Sequence, residues 1–309
     1  MNEPSLFYSA DSVGVSKESK ARSLSFQYMS DLHLEVWQQY DTFDFLVTAP
    51  FLILAGDIGR LADYEAYRRF LARQAARYEL VFLVLGNHEF YGLDFDAAIA
   101  KARQLEDEPR LHPKLRLLHR TRIDLMGGEI SILGCTLWSH VPDRDMDAVR
   151  GRVKDLQKIE NWSVERHNQS QEADLSWLKD EMTAISPGIE KSASSNRVVL
   201  VVTHHAPSIQ EASRPEQVNN PWTSAFASDL LPAVGWDCVD YWVYGHTHYT
   251  TSFTRGSTTV VSNQRGYVPV NGGRCPERKT QDDSHVFDPR RVIALNECGA
   301  SEAVRCSIT

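Results

Sequence analysis

Five short clusters in the chain carry side chains able to bind metal ions: Asp31-Leu32-His33, Gly56-Asp57, Gly86-Asn87-His88-Glu89, His204-His205 and Gly245-His246-Thr247-His248. Carboxylate, imidazole and amide oxygen without thiolate suit Mn, Fe, Zn or Co rather than an iron–sulfur cluster. Taken singly, each cluster has an ordinary explanation. An Asp ahead of a helix commonly caps it, Gly-Asp after a strand is turn chemistry, and a lone His is usually a satisfied core residue. His246 and His248 are more specific, because alternate residues of an extended segment point to one side and can address one metal cluster. The conjunction carries the weight. Seven such donors are too many for one ion of four to six coordination, and two ions sharing a carboxylate use them economically.

Donors spread from residue 31 to residue 248 must be gathered by the fold. Apolar, β-branched or aromatic runs at 24–29, 51–55, 80–85, 130–137, 197–203, 239–244 and 258–262 have the composition of buried strands. Most stop abruptly at a polar cluster. Helical patterns lie between them at 63–78, with Tyr67, Phe70 and Leu71 on one face, at 94–105, and at 173–182 with Leu175, Trp177 and Leu178. A hairpin over 122–133 turning on Gly127-Gly128 makes the sheet arrangement mixed rather than purely parallel. In α/β sheets ligands bind beyond the carboxyl ends of the strands, so the clusters are expected to converge there. The polar stretches 141–168 and 207–222 are expected loops roofing that crevice.

A formal charge of −8 gives no support to a nucleic-acid backbone partner, which needs clustered Lys and Arg. The five cysteines, Cys135, Cys238, Cys275, Cys298 and Cys306, are odd in number and lack C-x-x-C spacing, against both a disulfide framework and a zinc ribbon. No signal-like N-terminus and no apolar run of membrane-spanning length is present, so a cytoplasmic protein with no membrane partner is expected. Residues 1–23 and 297–309 read as tails around a single domain at 24–296. Cys306-Ser307-Ile308-Thr309 has the outline of a prenylation box, but Thr is an unusual last residue and no polybasic stretch precedes it, so a chance match is the simpler reading.

In its order, the series D-x-H, G-D, G-N-H-E, H and G-H-x-H from Asp31 to His248 resembles the signature of the calcineurin-like metallophosphoesterase superfamily. A branch of small intracellular members is also similar in Ser30-Asp31-Leu32-His33-Leu34-Glu35, Gly134-Cys135-Thr136-Leu137-Trp138, Thr203-His204-His205-Ala206-Pro207-Ser208 and Phe226-Ala227-Ser228-Asp229-Leu230. Val261-Ser262-Asn263-Gln264-Arg265-Gly266-Tyr267 resembles its N-P-R-G-Y ending with Gln264 in place of Pro, and His140 stands where relatives tend to carry an acidic residue. The resemblance implies an α/β protein of two mixed β-sheets packed face to face and flanked by helices.

Carried over residue by residue, it implies one metal held by Asp31, His33 and His248, a second held by Asn87, His204 and His246, and Asp57 bridging both. The ions would be divalent or mixed-valence Mn, Fe, Zn or Co. His205 is expected to pack or hydrogen-bond nearby. The implied activity is hydrolysis of phosphate esters, with a metal-bridging hydroxide attacking phosphorus in line and His88 protonating the leaving group beside Asp57 and Asn87. Glu89 is expected to serve its loop or a helix beginning after Phe90-Tyr91-Gly92. Arg265 and Asn263 are expected to close one sheet against the other rather than to hold phosphate.

Two other functions fit parts of the pattern. A metal-dependent nuclease would need a basic groove, which the acidic composition disfavours. A catalytically silent interaction module would have lost ligands, whereas Asp57, Asn87 and His88 are intact. The choice between monoester and diester is expected to lie in 141–168 and 207–222, with Trp138, Trp162 and Trp222 as candidate aromatic walls, although Trp138 also suits the core.

Overall fold

Short continuous runs of apolar, β-branched and aromatic side chains dictate strands buried on both faces, and the computed structural model shows them. It describes residues 24–185, 197–231, 233, 235–269 and 285–295. The first part of the chain forms strands β1 (Leu24–Met29), β2 (Phe51–Ala55), β3 (Leu80–Val84) and β4 (Leu115–Leu117), with helices α1 (Tyr64–Arg77) and α2 (Phe95–Asp107) between them. A hairpin of β5 (Thr121–Leu125) and β6 (Ile130–Cys135) follows, then helices α3 (Met146–Arg152), α4 (Asp155–Lys158) and α5 (Val164–Ile185). The remainder gives β7 (Val198–Thr203), β8 (Tyr241–Tyr244), β9 (Thr251–Arg255), β10 (Thr258–Ser262) and β11 (Val292–Leu295).

One sheet has the order β11-β1-β2-β3-β4 and the other β5-β6-β7-β8-β10-β9. Both are mixed. Strands β1 to β4 run parallel with β11 antiparallel at the edge, and the second sheet has parallel β6, β7, β8 and β10 between antiparallel β5 and β9. The period of two sorts the side chains into layers. Phe26, Ile53, Phe82, Val84, Ile132, Leu200, Val202 and Val243 fill the space between the sheets. Leu52, Leu54, Val81 and Leu83 face outward onto α1 and α2, while Val199, Val201, Trp242 and Tyr244 pack with Leu178 and Met182 of α5. The arrangement is the expected α/β sandwich of two mixed sheets flanked by helices.

The expected strands are present within one or two residues, but several elements differ from the sequence reading. The segment 141–168 is largely helical rather than loop: Val149 and Val153 bury their short apolar faces against Val141 and Val164. The helix expected at 173–182 is the middle of the longer α5, whose first turns carry polar residues and little periodic signal. Strands β4, β9 and β11 were not anticipated, since short edge strands carry too few apolar residues to register. The expected tails at 1–23 and 297–309 and the Cys306-Ser307-Ile308-Thr309 box lie outside the described residues.

Candidate metal centre

At the carboxyl ends of β1, β2, β3, β7 and β8 the chain stops pairing as strand and the polar clusters begin. These loops continue to hydrogen-bond one another: Asp31 N–H donates to the Gly56 carbonyl, His33 N–H to Asp57 and Gly245 N–H to His204, at 2.9–3.0 Å. Asp31, His33, Asp57, His246 and His248 all have positive φ, between 47° and 72°. Non-glycine residues pay on the order of 1–2 kcal/mol each for that conformation, so the fold concentrates strain where the donors converge. Gly56, also at positive φ, must be glycine for a second reason: a Cβ there would fall on the His204 ring.

Two pockets result. In the first, His33 Nε2 faces His248 Nε2 at 2.8 Å, and Asp31 Oδ1 lies 3.6 Å from His248 Nε2. In the second, His204 Nε2 faces Asn87 Oδ1 and His246 Nδ1, both at 3.1 Å. Asp57 stands between them, with Oδ2 3.7 Å from His33 Nε2 and Oδ1 3.4 Å from His204 Nε2.

The donor set fits metal ions better than hydrogen bonds. His204 Nδ1 is 3.0 Å from the Ala55 carbonyl, which can only accept, so Nδ1 carries a proton. Nε2 then faces three acceptor atoms, and one proton there can satisfy only one of them. Likewise His33 Nδ1 is 3.3 Å from Glu35 Oε1, which turns Nε2 toward the Nε2 of His248. A cation bound at about 2.0–2.2 Å by each donor would hold neighbouring donors roughly 3.0–3.4 Å apart and satisfy all of them.

Charge leads the same way. Asp31, Glu35, Asp57, Glu89 and Asp155 are buried together, and among the described residues none is ion-paired to Lys or Arg. Burial pushes the Asp31 carboxyl up to about 6. Burial also works against a charge on Asp57, but the neighbouring His204 and His88 outweigh it and hold that carboxyl well below its ordinary range. His204 is pushed up to about 9, its burial being overcome by Asp57. Burial, reinforced by neighbouring imidazoles, lowers His246 and His248. A proton is thus drawn onto His204 beside Asp57, while His246 and His248 are kept neutral, with a ring nitrogen free to bind a cation.

His88 stands at the margin of this cluster. Its Nδ1 lies 2.7 Å from Glu35 Oε1 and its Nε2 3.2 Å from the hydroxyl of Tyr267. Burial opposes a charge on His88, yet Asp57 and Glu35 push its pKa up to about 9. Tyr91 packs against the ring at 4.2 Å. The His88 backbone N–H donates to Asp57 Oδ1 at 2.8 Å, which fixes His88 and Asp57 together.

All seven expected donors and His88 are therefore gathered in one cluster. His205 does as expected: its ring stacks on His246 at 4.1 Å and its Nδ1 lies 3.2 Å from Ser139 Oγ. Asn263 and Arg265 tie the sheets together, donating from Nδ2 to the Tyr28 carbonyl and from Nη1 to the Leu32 carbonyl. Glu89 does not support a helix start; α2 is capped by Asp94, which accepts from Ala97 N–H. It takes the loop role expected as the other option: Glu89 accepts the N–H of Gly86 in its own loop, those of Asp57, Ile58 and Gly59, and the Tyr67 hydroxyl, locking the Gly56-Asp57 loop. Trp138 and Trp162 form no wall, because both are buried and pack on each other at 4.7 Å. Trp222 packs beside the α3 cluster under Arg152.

The sequence reading assigned no role to Glu35, Tyr91, Asp155 or Tyr267. Glu35 and Tyr267 sit inside the quoted motif strings, where the alternation of 31, 33 and 35 was the available signal for Glu35. Tyr91 and Asp155 carry no local signal.

Two parallel-stranded mixed sheets with clustered carboxylate, imidazole and amide donors at their carboxyl ends define a metallohydrolase architecture. The chain belongs to the calcineurin-like phosphoesterase family, whose model matches residues 26–250. It is 27% identical over 268 residues to uncharacterized protein L509 of Acanthamoeba polyphaga mimivirus, covering 78% of this chain and 90% of that protein. Among solved structures, a phosphopantetheinyl hydrolase from Mycobacterium tuberculosis shares the fold, with a TM-score of 0.56 at 14% identity over 79% of this chain and 90% of that one.

Proposed function

We propose that the protein hydrolyses phosphate esters with two transition-metal ions drawn from Mn, Fe, Zn and Co. Asp31, His33 and His248 would hold one ion, Asn87, His204 and His246 the other, and Asp57 both. The observation that carries the reading is Asp57 itself, whose two oxygens each face the imidazole donors of a different pocket. Ions bound there supply positive charge for phosphoryl oxygens and lower the pKa of water toward neutrality.

The chain's own residues do the rest. Asp57 fixes the relation of the two pockets, and Glu89 fixes Asp57 by binding its backbone N–H at 2.9 Å. Displacement in line at phosphorus leaves a departing oxygen that needs a proton. His88, held at Nδ1 by Glu35, presents Nε2 at the edge of the cluster and supplies it. Domain extent follows: residues 24–296 act as one domain, which the shared layer between the sheets and the mixed origin of the donors support. A cytoplasmic setting belongs to the same proposal, supported by the buried free thiol of Cys135. Among the described residues no helix is long and apolar enough to cross a membrane.

The test is a panel of phosphomonoesters and phosphodiesters, with single-stranded DNA included, run on chelator-stripped protein resupplied with each metal. Metal-dependent turnover of a small ester supports the proposal, and preferential cleavage of DNA would favour the nuclease. Absence of turnover with every ion would sink it.

A further inference from the structure

Asn87 meets the second pocket with a neutral amide, whose two ends have nearly the same shape. Only the oxygen can bind a cation, so something must decide which end faces the pocket. Asp155 is placed to do so. It is buried at the first turn of α4, and its Oδ1 accepts from Asn87 Nδ2 at 2.8 Å and from the Tyr91 hydroxyl at 2.7 Å. The opposite end of the amide, Oδ1, then lies 3.1 Å from His204 Nε2. Helix α4 is itself anchored: Gly92 N–H donates to the Lys158 carbonyl and Glu160 N–H to the Leu93 carbonyl, at 2.8 and 2.9 Å. Ile159 adds an apolar anchor in the core.

We propose that Asp155 is a positioning residue that locks the Asn87 amide with its oxygen toward the cation pocket. The inference rests on the reading of that pocket as a metal site. It gives the helical segment after β6 a task in building the centre, distinct from the roofing of substrate expected from the sequence. Partners of metal ligands typically change affinity 10–100-fold when removed. A turned amide would aim two N–H donors at the ion, so a loss on the order of 10–100-fold is expected for one of two ions.

The experiment titrates Mn²⁺ into chelator-stripped full-length protein by calorimetry, with circular dichroism to verify the fold. Asp155→Leu should weaken one Mn²⁺ and leave the other unchanged. The decisive comparison uses Asn87→Asp, in which both ends of the side chain are oxygen and orientation no longer matters. In that background Asp155→Leu should be neutral or should tighten Mn²⁺ binding, because two adjacent carboxylates no longer repel. Should Asp155→Leu not fold, Asp155→Ala provides the same comparison with a smaller side chain. Equal losses in both backgrounds would make Asp155 a structural residue only, and parental affinity in both would also overturn the proposal. A parent protein that binds no Mn²⁺, Fe²⁺, Zn²⁺ or Co²⁺ would remove the metal reading itself, and this inference with it.

Discussion

The pocket of Asn87, His204 and His246 and the pocket of Asp31, His33 and His248 share Asp57 but differ in enclosure. In the former, His204 is fully buried and pinned by the Ala55 carbonyl, and His246 is stacked between His205 and Phe226 at 4.1 and 4.6 Å. In the latter, the His248 side chain is 23% exposed, and the ring beside it, Tyr267, is itself 37% exposed. His88 lies on this open side. The shell around a metal site controls solvent access and ligand orientation. With ions bound as proposed, the closed pocket should retain its ion and the open one should exchange with water and substrate.

The largest effect should come from the residue the two pockets share. Asp57→Asn leaves one oxygen where two are needed, so both ions should weaken and almost all hydrolysis should disappear, measured by metal analysis and turnover together. Asp31→Asn should weaken chiefly the ion of the open pocket. Two ions still bound to Asp57→Asn with parental turnover would show that the pockets do not depend on a common carboxylate.

His88→Asn should keep both ions and lose on the order of 10²–10⁴ in kcat, the range general acid catalysis supplies. A nitrophenolate leaves as a stable anion, whereas an alkoxide needs a proton, so the loss should be clearly smaller for the aryl ester. Equal losses for the two esters would mean that His88 orients phosphate instead.

Removal of the ions should be staged. In a chelator titration the ion of the open pocket should leave first, with an affinity difference on the order of 10-fold, consistent with what supporting shells contribute. Mn²⁺ occupancy followed in Asp31→Asn and Asn87→Ala identifies which pocket empties. The reverse order would show that donor charge outweighs enclosure, since the open pocket has its own carboxylate, Asp31, and the closed one a neutral amide.

How far the sequence could be read follows from the range of each interaction. Asp31, His33, Asp57, Asn87, His204, His246 and His248 were legible because each follows directly on a strand end, where a local motif reports the geometry. The two-sheet sandwich was legible through the same strands and through the family resemblance. Asp155 was not: its partner Asn87 is 68 positions away, and a lone Asp in a polar segment has no pattern. Helices α3 and α4 escaped notice because each is too short to display a periodic face. Trp138 suits the core on sequence alone, whereas Trp162 is placed there only by its packing on Trp138 in the structure.

The smallest expected effect belongs to the Tyr267 hydroxyl. Its one described hydrogen bond, 3.2 Å to His88 Nε2, is worth about 0.5–1.5 kcal/mol net, or roughly 2–10-fold in kcat/KM. Tyr267→Phe keeps the ring, which lies 4.3 Å from His33 and 4.9 Å from His248, so both ions and their order of release should be unchanged. Glu35 continues to hold His88 from the other side at 2.7 Å, which is why the loss should stay far below that of His88→Asn. Tyr267→Ala removes the ring as well, and should speed exchange in the open pocket while sparing the closed one. A loss in Tyr267→Phe as large as in His88→Asn would mean that the hydroxyl touches the reacting oxygens directly. If instead Tyr267→Ala left metal exchange at the parental rate, the ring would be no barrier, and the openness of that pocket would have to come from His248 alone.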